Sequence, residues 1–332
     1  MLGYISHRIL VMVPTLLAIS ALVFIIIQLP PGDYLETMLA EMQARGETVD
    51  PGRVEALRRE YGLDLPLYEQ YFVWLWGCLR GDFGWSFEFN LPVADIIGER
   101  MALSVLLSTS TILFIWVVSF AIGIYTALRQ YSFGDHFATF LGYFGLATPD
   151  FLLALVLMYF ANLWFDIEIG GIMEQQFIDQ PWTGAKIVSI LEHLWIPVVV
   201  IGTSGTAGMI RRLRANLLDE LQKQYVVTAR AKGLPERRLL VRYPLRMAIN
   251  PFISDIGNLL PDIVSGVAMV SIVMNLETTG KMMLAALRSQ DMYLAGTFLM
   301  FLALLTVIGT LISDLALAVL DPRIRLAGKA TR

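Results

Sequence analysis

Long apolar segments alternate with polar ones along this chain, and their lengths predict six membrane-spanning helices. A bilayer core about 30 Å thick requires about 20 apolar residues in a helix. We place the spans at 9–29, 101–128, 137–163, 194–210, 249–276 and 292–320. The first follows His7 and Arg8 without an Ala-x-Ala cleavage site, which indicates an uncleaved anchor. The predicted fold class is an all-α integral membrane protein.

The distribution of charge gives these spans an orientation. The segments predicted to lie on the side of the N-terminus are 1–8, 129–136, 211–246 and 321–332. They carry 16 Lys and Arg against five Asp and Glu, whereas the segments on the other side carry nine against 20. Since basic loops stay in the cytoplasm, both termini are expected there. Without the fifth span, which holds Asp255 and Asp262, the basic tail would lie outside.

These spans divide the chain into four parts. They are an N-terminal helix (1–29), an external, periplasmic insertion (30–100), a five-helix core (101–320) and a cytoplasmic tail (321–332). The core includes an acidic external loop at 164–193, which is a candidate contact for a ligand-delivery protein, and a basic cytoplasmic loop at 211–246.

The external insertion is expected to contain two short helices. Pro51 to Tyr61 is amphipathic and should end at Gly62, and Pro66 suits the first turn of a helix from Leu67 to Leu79. The second helix is too short to span a membrane and is rich in aromatic residues. Its aromatic side chains fit either an interfacial belt or a docking surface for an external partner.

Composition excludes several classes of protein. With 56% hydrophobic residues and a mean hydropathy of +0.62, the 332-residue chain is too apolar for an ordinary soluble domain. Cys78 is the only cysteine and the three histidines lack ligand spacing, so no disulfide or metal site is expected. The chain has no G-x-x-x-x-G-K-S/T loop or nucleophile motif, so neither a bound cofactor nor catalysis is expected. Topology explains the basic loop, and nucleic acid is not an expected partner.

The basic loop contains a segment that is typical of a docking element. Tyr225 to Lys232 should form a short helix of small residues, Gly233 should end it in the left-handed conformation, and Pro235 should start a new helix. Small side chains keep part of this helix thin, while basic ones supply charge. The candidate coupling residues are Tyr225, Thr228, Ala229, Arg230, Ala231, Lys232 and Gly233.

Carboxylates within the predicted spans form a second set of candidates, because ionisable groups in hydrocarbon are costly and usually functional or paired. In the fifth span, a polar stripe with helical spacing comprises Asp255, Asn258, Asp262 and Ser265. The stripe fits a translocation path, interhelical hydrogen bonding, or a span end at the headgroups.

Two further carboxylates lie in other spans. Asp150 follows Pro149, which should kink the third span, so Asp150 is a candidate for the path or for pairing with a neighbouring subunit. For Asp314, near the end of the sixth span, we favour a structural role.

The segment from Tyr225 to Gly233 closely resembles the coupling-helix motif of binding-protein-dependent ABC importer permeases of the peptide/nickel branch. Other pieces of the chain resemble that branch in the correct order, over most of its length. They include Arg8-Ile-Leu, Pro14-Thr-Leu-Leu, Leu29-Pro-Pro-Gly-Asp33, Tyr61-Gly-Leu-Asp-Leu-Pro, Leu79-Arg-Gly-Asp-Phe-Gly-Trp-Ser-Phe87 and Asp321-Pro-Arg-Ile-Arg325.

The resemblance implies a type I importer permease, not an enzyme, in a bacterial or archaeal plasma (inner) membrane. The implied partners are a second homologous permease, two ATPase subunits that bind ATP and Mg, an external solute-binding protein and membrane lipids. The implied substrates are short peptides, with oligosaccharides, opines or nickel as alternatives. Relatives usually carry a small or neutral residue at the position of Asp150, which links Asp150 to this protein's own substrate.

Two other classes stay open at this point. An ion-coupled secondary transporter would use the intramembrane acids without an ATPase, but it more often shows inverted repeats and broken helices, which the sequence does not reveal. A membrane-embedded enzyme would need convergent catalytic groups, and the carboxylates alone are weak evidence for them.

Overall fold

A computed structural model describes residues 2–29, 35, 51–60, 62, 64–165, 170–177, 180–266, 268–276 and 278–320. The helices are α1 Leu2–Gln28, α2 Pro51–Glu60, α3 Leu67–Arg80, α4 Val93–Leu128, α5 Phe133–Ala147, α6 Asp150–Phe165, α7 Gly184–Leu221, α8 Gln224–Ala231, α9 Glu236–Arg242, α10 Pro244–Ala248, α11 Asn250–Gly266, α12 Ala268–Val273, α13 Thr279–Arg288 and α14 Met292–Leu320. A short antiparallel hairpin joins β1 Trp85–Ser86 to β2 Leu91–Pro92.

Four helices of the described chain, α1, α4, α7 and α14, are long and apolar enough to cross a membrane, and the pair α5 and α6 allows a fifth span. The predicted spans 1, 2, 4 and 6 lie within the four long helices. The predicted fifth span corresponds to α11 and α12, and α11 has only 17 residues. The described residues are thus mostly helical and hold four or five helical segments long and apolar enough to cross a membrane, where six spans are predicted.

The predicted kink at Pro149 is confirmed as a complete break. Helix α5 ends at Ala147, α6 begins at Asp150, and their axes differ by 105°. Thr148 is extended, with φ −87° and ψ 122°, because the ring of a following proline disfavours the helical conformation. The break therefore follows from local backbone sterics.

By internal packing, the chain forms two units: Ser6–Leu103 with Thr278–Val307, and Ser104–Glu277 with Met1–Ile5 and Ile308–Arg332. In the first, Trp74 of α3 is buried against Val23 and Phe24 of α1 and Met292 of α14. The Ser20 and Tyr71 hydroxyls are 2.8 Å apart.

Two short helices are present where they are predicted in the insertion, with Gly62 at φ +65° after α2 and Pro66 at the N-cap position, directly before the first turn of α3. The aromatic residues of α3 divide between two faces. Tyr68, Phe72 and Trp76 are exposed, whereas Trp74 belongs to the core.

A buried carboxylate holds the hairpin onto the start of α14. Asp291 is 0% exposed and accepts hydrogen bonds from the Ser86 hydroxyl at 2.6 Å and from the Glu88 N–H at 3.2 Å. It also accepts from the Leu294 N–H at 3.0 Å, which caps the helix.

In the second unit, α7 is the central helix, and α5, α6 and α10 pack against it. The predicted fourth span covers only the middle of its 38 residues. Gly202 and Gly205 face α4: a Cβ at Gly202 would lie 2.5 Å from the Phe114 ring. Gly208 has no such neighbour within 4 Å. The glycines of this span therefore differ in role, two of them allowing close helix packing.

Candidate coupling helix and membrane carboxylates

The predicted docking helix is present as α8, and its C-terminus is a complete Schellman motif. Gly233 has φ +77°; its N–H donates to the Arg230 carbonyl at 3.0 Å, and the Leu234 N–H donates to the Ala229 carbonyl at 3.4 Å. Glycine adopts this left-handed conformation at little cost, and the following Pro235 is the N-cap of α9. The predicted stop and restart are confirmed.

The inner face of α8 is small and apolar and packs against α9. Val226, Ala229 and Leu239 form a buried cluster that Leu234 and Tyr243 cover. Ala229 is 7% exposed. Ala229 therefore packs against the next helix of the same chain, and of the two alanines in this helix only Ala231 has its side chain exposed.

The outer face of α8 is polar and basic. Thr228, Arg230 and Lys232 are exposed, and the Thr228 hydroxyl donates to the Gln224 carbonyl at 2.9 Å within the helix. Arg230 forms a two-point pair with Glu236 across the turn, Nε to Oε1 at 2.6 Å and Nη2 to Oε2 at 3.1 Å. The guanidinium lowers the pKa of the Glu236 carboxyl, which is ionised at neutral pH.

Tyr225 opens the helix and connects it to the end of α7. Its hydroxyl donates to the Glu220 carboxylate, and its ring lies 6.3 Å from that of Tyr243. Burial, together with the Glu220 carboxylate, raises the pKa of Tyr225 above its ordinary value. Tyr225 is therefore neutral at physiological pH and fixes the entry of α8.

The hairpin of α8 and α9 is attached to the long helices through α10. Helix α10 packs against both α9 and α7, and Arg246 donates from Nη2 to the Leu320 carbonyl at the end of α14, at 2.9 Å. Helix packing and one hydrogen bond thus connect this hairpin, through α10, to α7 and α14.

Asp255 of the predicted polar stripe is ion-paired with Arg212 of α7. The Asp255 side chain is 33% exposed and that of Arg212 52%, so the pair is partly solvated. Asn258, Asp262 and Ser265 follow on α11, but their side chains lie outside the described ones.

Asp150 is the first residue of α6, where a carboxylate interacts favourably with the helix dipole. Its carboxyl group lies near the Ser204 side chain of α7. Asp150 and Asp255 therefore both lie against α7. Their neighbours on that helix, Ser204 and Arg212, are eight residues apart, which is about 12 Å along the helix axis. Asp314 lies in the last part of α14.

Helices α11 and α14 also cross closely, at a position that the sequence motifs above did not predict. Gly257 of α11 packs against Gly309 and Thr310 of α14. Beside it, the Ser313 hydroxyl donates to the Ile253 carbonyl at 2.6 Å. The signal was available in Gly309-x-x-x-Ser313, a spacing of small residues that lets membrane helices approach closely.

No group of three or more His, Cys, Asp or Glu side chains within the described ranges could hold a metal ion. Long apolar helices packed on α7, with a basic helical hairpin at their ends, define a multi-pass membrane protein. The chain belongs to the family of binding-protein-dependent transport system inner membrane components. The family's model matches residues 119–326, and that of its N-terminal region matches residues 1–108.

Relatives match this chain over nearly its whole length. The oligopeptide transport system permease protein AppB of Bacillus subtilis is 32% identical over 98% of this chain and 99% of its own. The dipeptide transport system permease protein DppB of Escherichia coli K12 is 28% identical over 98% and 99%. The peptidoglycan transport system permease protein YejB of Agrobacterium fabrum is 27% identical over 97% and 98%. This chain is accordingly a multi-pass inner-membrane transport component.

Proposed function

We propose that this chain is the translocating subunit of an ATP-driven importer that takes up short peptides delivered by an external binding protein. In this proposal the chain crosses the membrane six times, with α11 and α12 as the fifth span and both termini in the cytoplasm. It pairs with a second homologous permease and with two ATPase subunits, and those subunits alone bind ATP and Mg.

The observation that carries the proposal is the capped helix α8, held rigidly against α9 and attached through α10 to α7 and α14. Its exposed face, with Thr228, Arg230 and Lys232, is the surface that an ATPase would contact. Closure of the ATPase pair would move α8 and thereby the long helices. To shift the bundle from 1:99 to 99:1 between two states, the ATPases must favour one state by about 5.5 kcal/mol.

Candidate path residues in this scheme are Asp150, Asp255, Asn258, Asp262 and Ser265. Helix α11 carries most of them, and its polar stripe would face the solute rather than lipid. Asp255 has a second role in the proposal, because its pairing with Arg212 connects α11 to the basic end of α7.

The peptide assignment is supported by AppB and DppB, whose names specify oligopeptides and dipeptides. The name of the Agrobacterium relative specifies peptidoglycan, which favours sugar-containing cell-wall fragments as a second candidate. The break between α5 and α6 is a feature expected of the secondary-transporter alternative. The break lies within residues 119–326, which the model of the transport family matches, and this match supports the importer proposal.

A pull-down of the detergent-solubilised chain from its native membrane, with mass spectrometry and an ATPase assay, tests this function. We expect a second permease and one or two ATPases, lost when Arg230 and Gly233 are replaced. Recovery of the chain alone, without ATPase activity, would reject the proposal and favour an ion-coupled transporter.

A further inference from the structure

A basic groove lies between α5 and α7, at the end of the predicted fourth span. It encloses about 330 Å³. Its walls include the apolar side chains of Leu146, Ile210 and Leu218, and two guanidinium groups, those of Arg211 and Arg214, line it as well. Because the apolar segment 194–210 ends directly before them, both arginines stand at the surface of the membrane in the proposed topology.

The groove carries a net positive charge. Arg211 lies over the Tyr143 ring, 5.7 Å from Cζ to the centroid, and within the described part of the chain no ion pair involves it. Arg214 pairs with Asp135 at 2.8 Å, and that carboxylate is 3% exposed. This pair is neutral, and one buried atom on each partner, Arg214 Nε and Asp135 Oδ1, has no hydrogen-bond partner among the described residues. Among the described residues, the groove thus offers one cation without an ion-pair partner, Arg211, beside a neutral ion pair.

Helix α5, which forms one wall of the groove, also carries exposed aromatic side chains suited to lipid. The Phe140 and Phe144 side chains of α5 are 64% and 60% exposed. A ligand for this site should therefore join an anionic group to a long apolar chain. Basic pockets between membrane helices bind the headgroups of anionic lipids for the same reason.

We propose that this groove binds one anionic phospholipid, with its phosphate on Arg211 and Arg214 and an acyl chain along α5 and α7. This inference rests on the proposed topology but not on the solute carried. Its test counts bound lipid by mass and uses neither ATP hydrolysis nor transport, so a negative result would leave the outcome of the ATPase pull-down unaffected.

Native mass spectrometry of the delipidated complex, titrated with dioleoylphosphatidylglycerol or dioleoylphosphatidylcholine, tests the site. One phosphatidylglycerol per chain should be retained in preference to phosphatidylcholine. Arg211→Gln should weaken its binding about fivefold, the ratio equivalent to about 1 kcal/mol for one basic residue near an anionic surface. Arg129→Gln, with the same charge loss at an exposed residue outside the groove, should change nothing.

A second variant addresses the apolar wall. Ala215 lines the groove at an exposed position, so Ala215→Phe should fill it without disturbing the core and abolish lipid retention. Arg214 is left intact, because removing it would strand the buried Asp135 carboxylate.

Three outcomes would overturn the inference. The first is equal retention of phosphatidylglycerol by wild type and Arg211→Gln, and the second is displacement of the lipid by millimolar inorganic phosphate. The third is retention by the isolated chain but not by the assembled complex, since that would show a partner subunit covering the groove.

Discussion

Gly257 of α11 and Gly309 of α14 lie in direct backbone contact. A Cβ at Gly309 would lie 3.0 Å from the Gly257 Cα, and a Cβ at Gly257 would lie 2.8 Å from the Thr310 nitrogen. Backbones can approach this closely only where neither helix carries a side chain. The crossing connects the helix that holds most of the candidate path residues to the last long helix.

Replacing Gly257 by Ala should destabilise the protein by about 1–3 kcal/mol, because the new methyl group meets backbone that cannot move away. Gly208→Ala is the matched control, since a Cβ there meets nothing within 4 Å and Ala favours a helix by about 1 kcal/mol over Gly. Thermal unfolding of both variants in one detergent measures the difference. Equal melting temperatures would contradict the close crossing.

Gly233→Val should uncouple ATP hydrolysis from transport while leaving membrane insertion intact. A Cβ at Gly233 meets nothing within 4 Å, so the cost lies in the backbone at φ +77°, about 1–2 kcal/mol for a residue with a side chain. Gly233→Asn is the control, because asparagine tolerates this conformation better. ATPase rate and uptake in proteoliposomes measure coupling. Normal transport by Gly233→Val would remove α8 from the mechanism.

Arg212→Gln and Asp255→Asn should together cost less stability than the sum of the two single changes. The coupling free energy between the two side chains should be about 0.5–1 kcal/mol, the range of partly solvated ion pairs. The four proteins of this cycle are compared by thermal unfolding. Strict additivity would show that the Arg212–Asp255 pair contributes nothing to stability and would contradict this prediction.

Cys78 should react slowly with alkylating reagents. Burial, to which the Asp82 carboxylate adds, raises the pKa of its thiol from 9.0 to about 11, and only the thiolate is nucleophilic. At pH 8 the thiolate fraction is then about a hundredfold smaller than for an unperturbed cysteine. Iodoacetamide labelling followed by intact-mass spectrometry measures this directly, as the chain has no other cysteine. Labelling in the native state as fast as in denaturant would show that α3 exposes this thiol.

Boundaries set by single residues were predictable. Pro149, Gly233 and Pro235 all end or begin helices where the sequence indicates, because the proline ring and the left-handed glycine act through backbone sterics within one turn. The sequence alone did not predict which aromatic side chains of α3 are buried and which are exposed. Their spacing shows a helix, but only packing against α1 places Trp74 inside and Trp76 outside.

The sequence by itself determined the class of protein, the short helix α8 and its cap, since apolar length, charge distribution and local backbone rules act over neighbouring residues. Tertiary structure alone decided the partners: Asp255 with Arg212, Asp150 with Ser204, Ala229 with α9, and Gly257 with Gly309. These pairs are distant in the chain or lie on opposite sides of a turn. Their contacts depend on how helices rotate and cross, which no local pattern encodes.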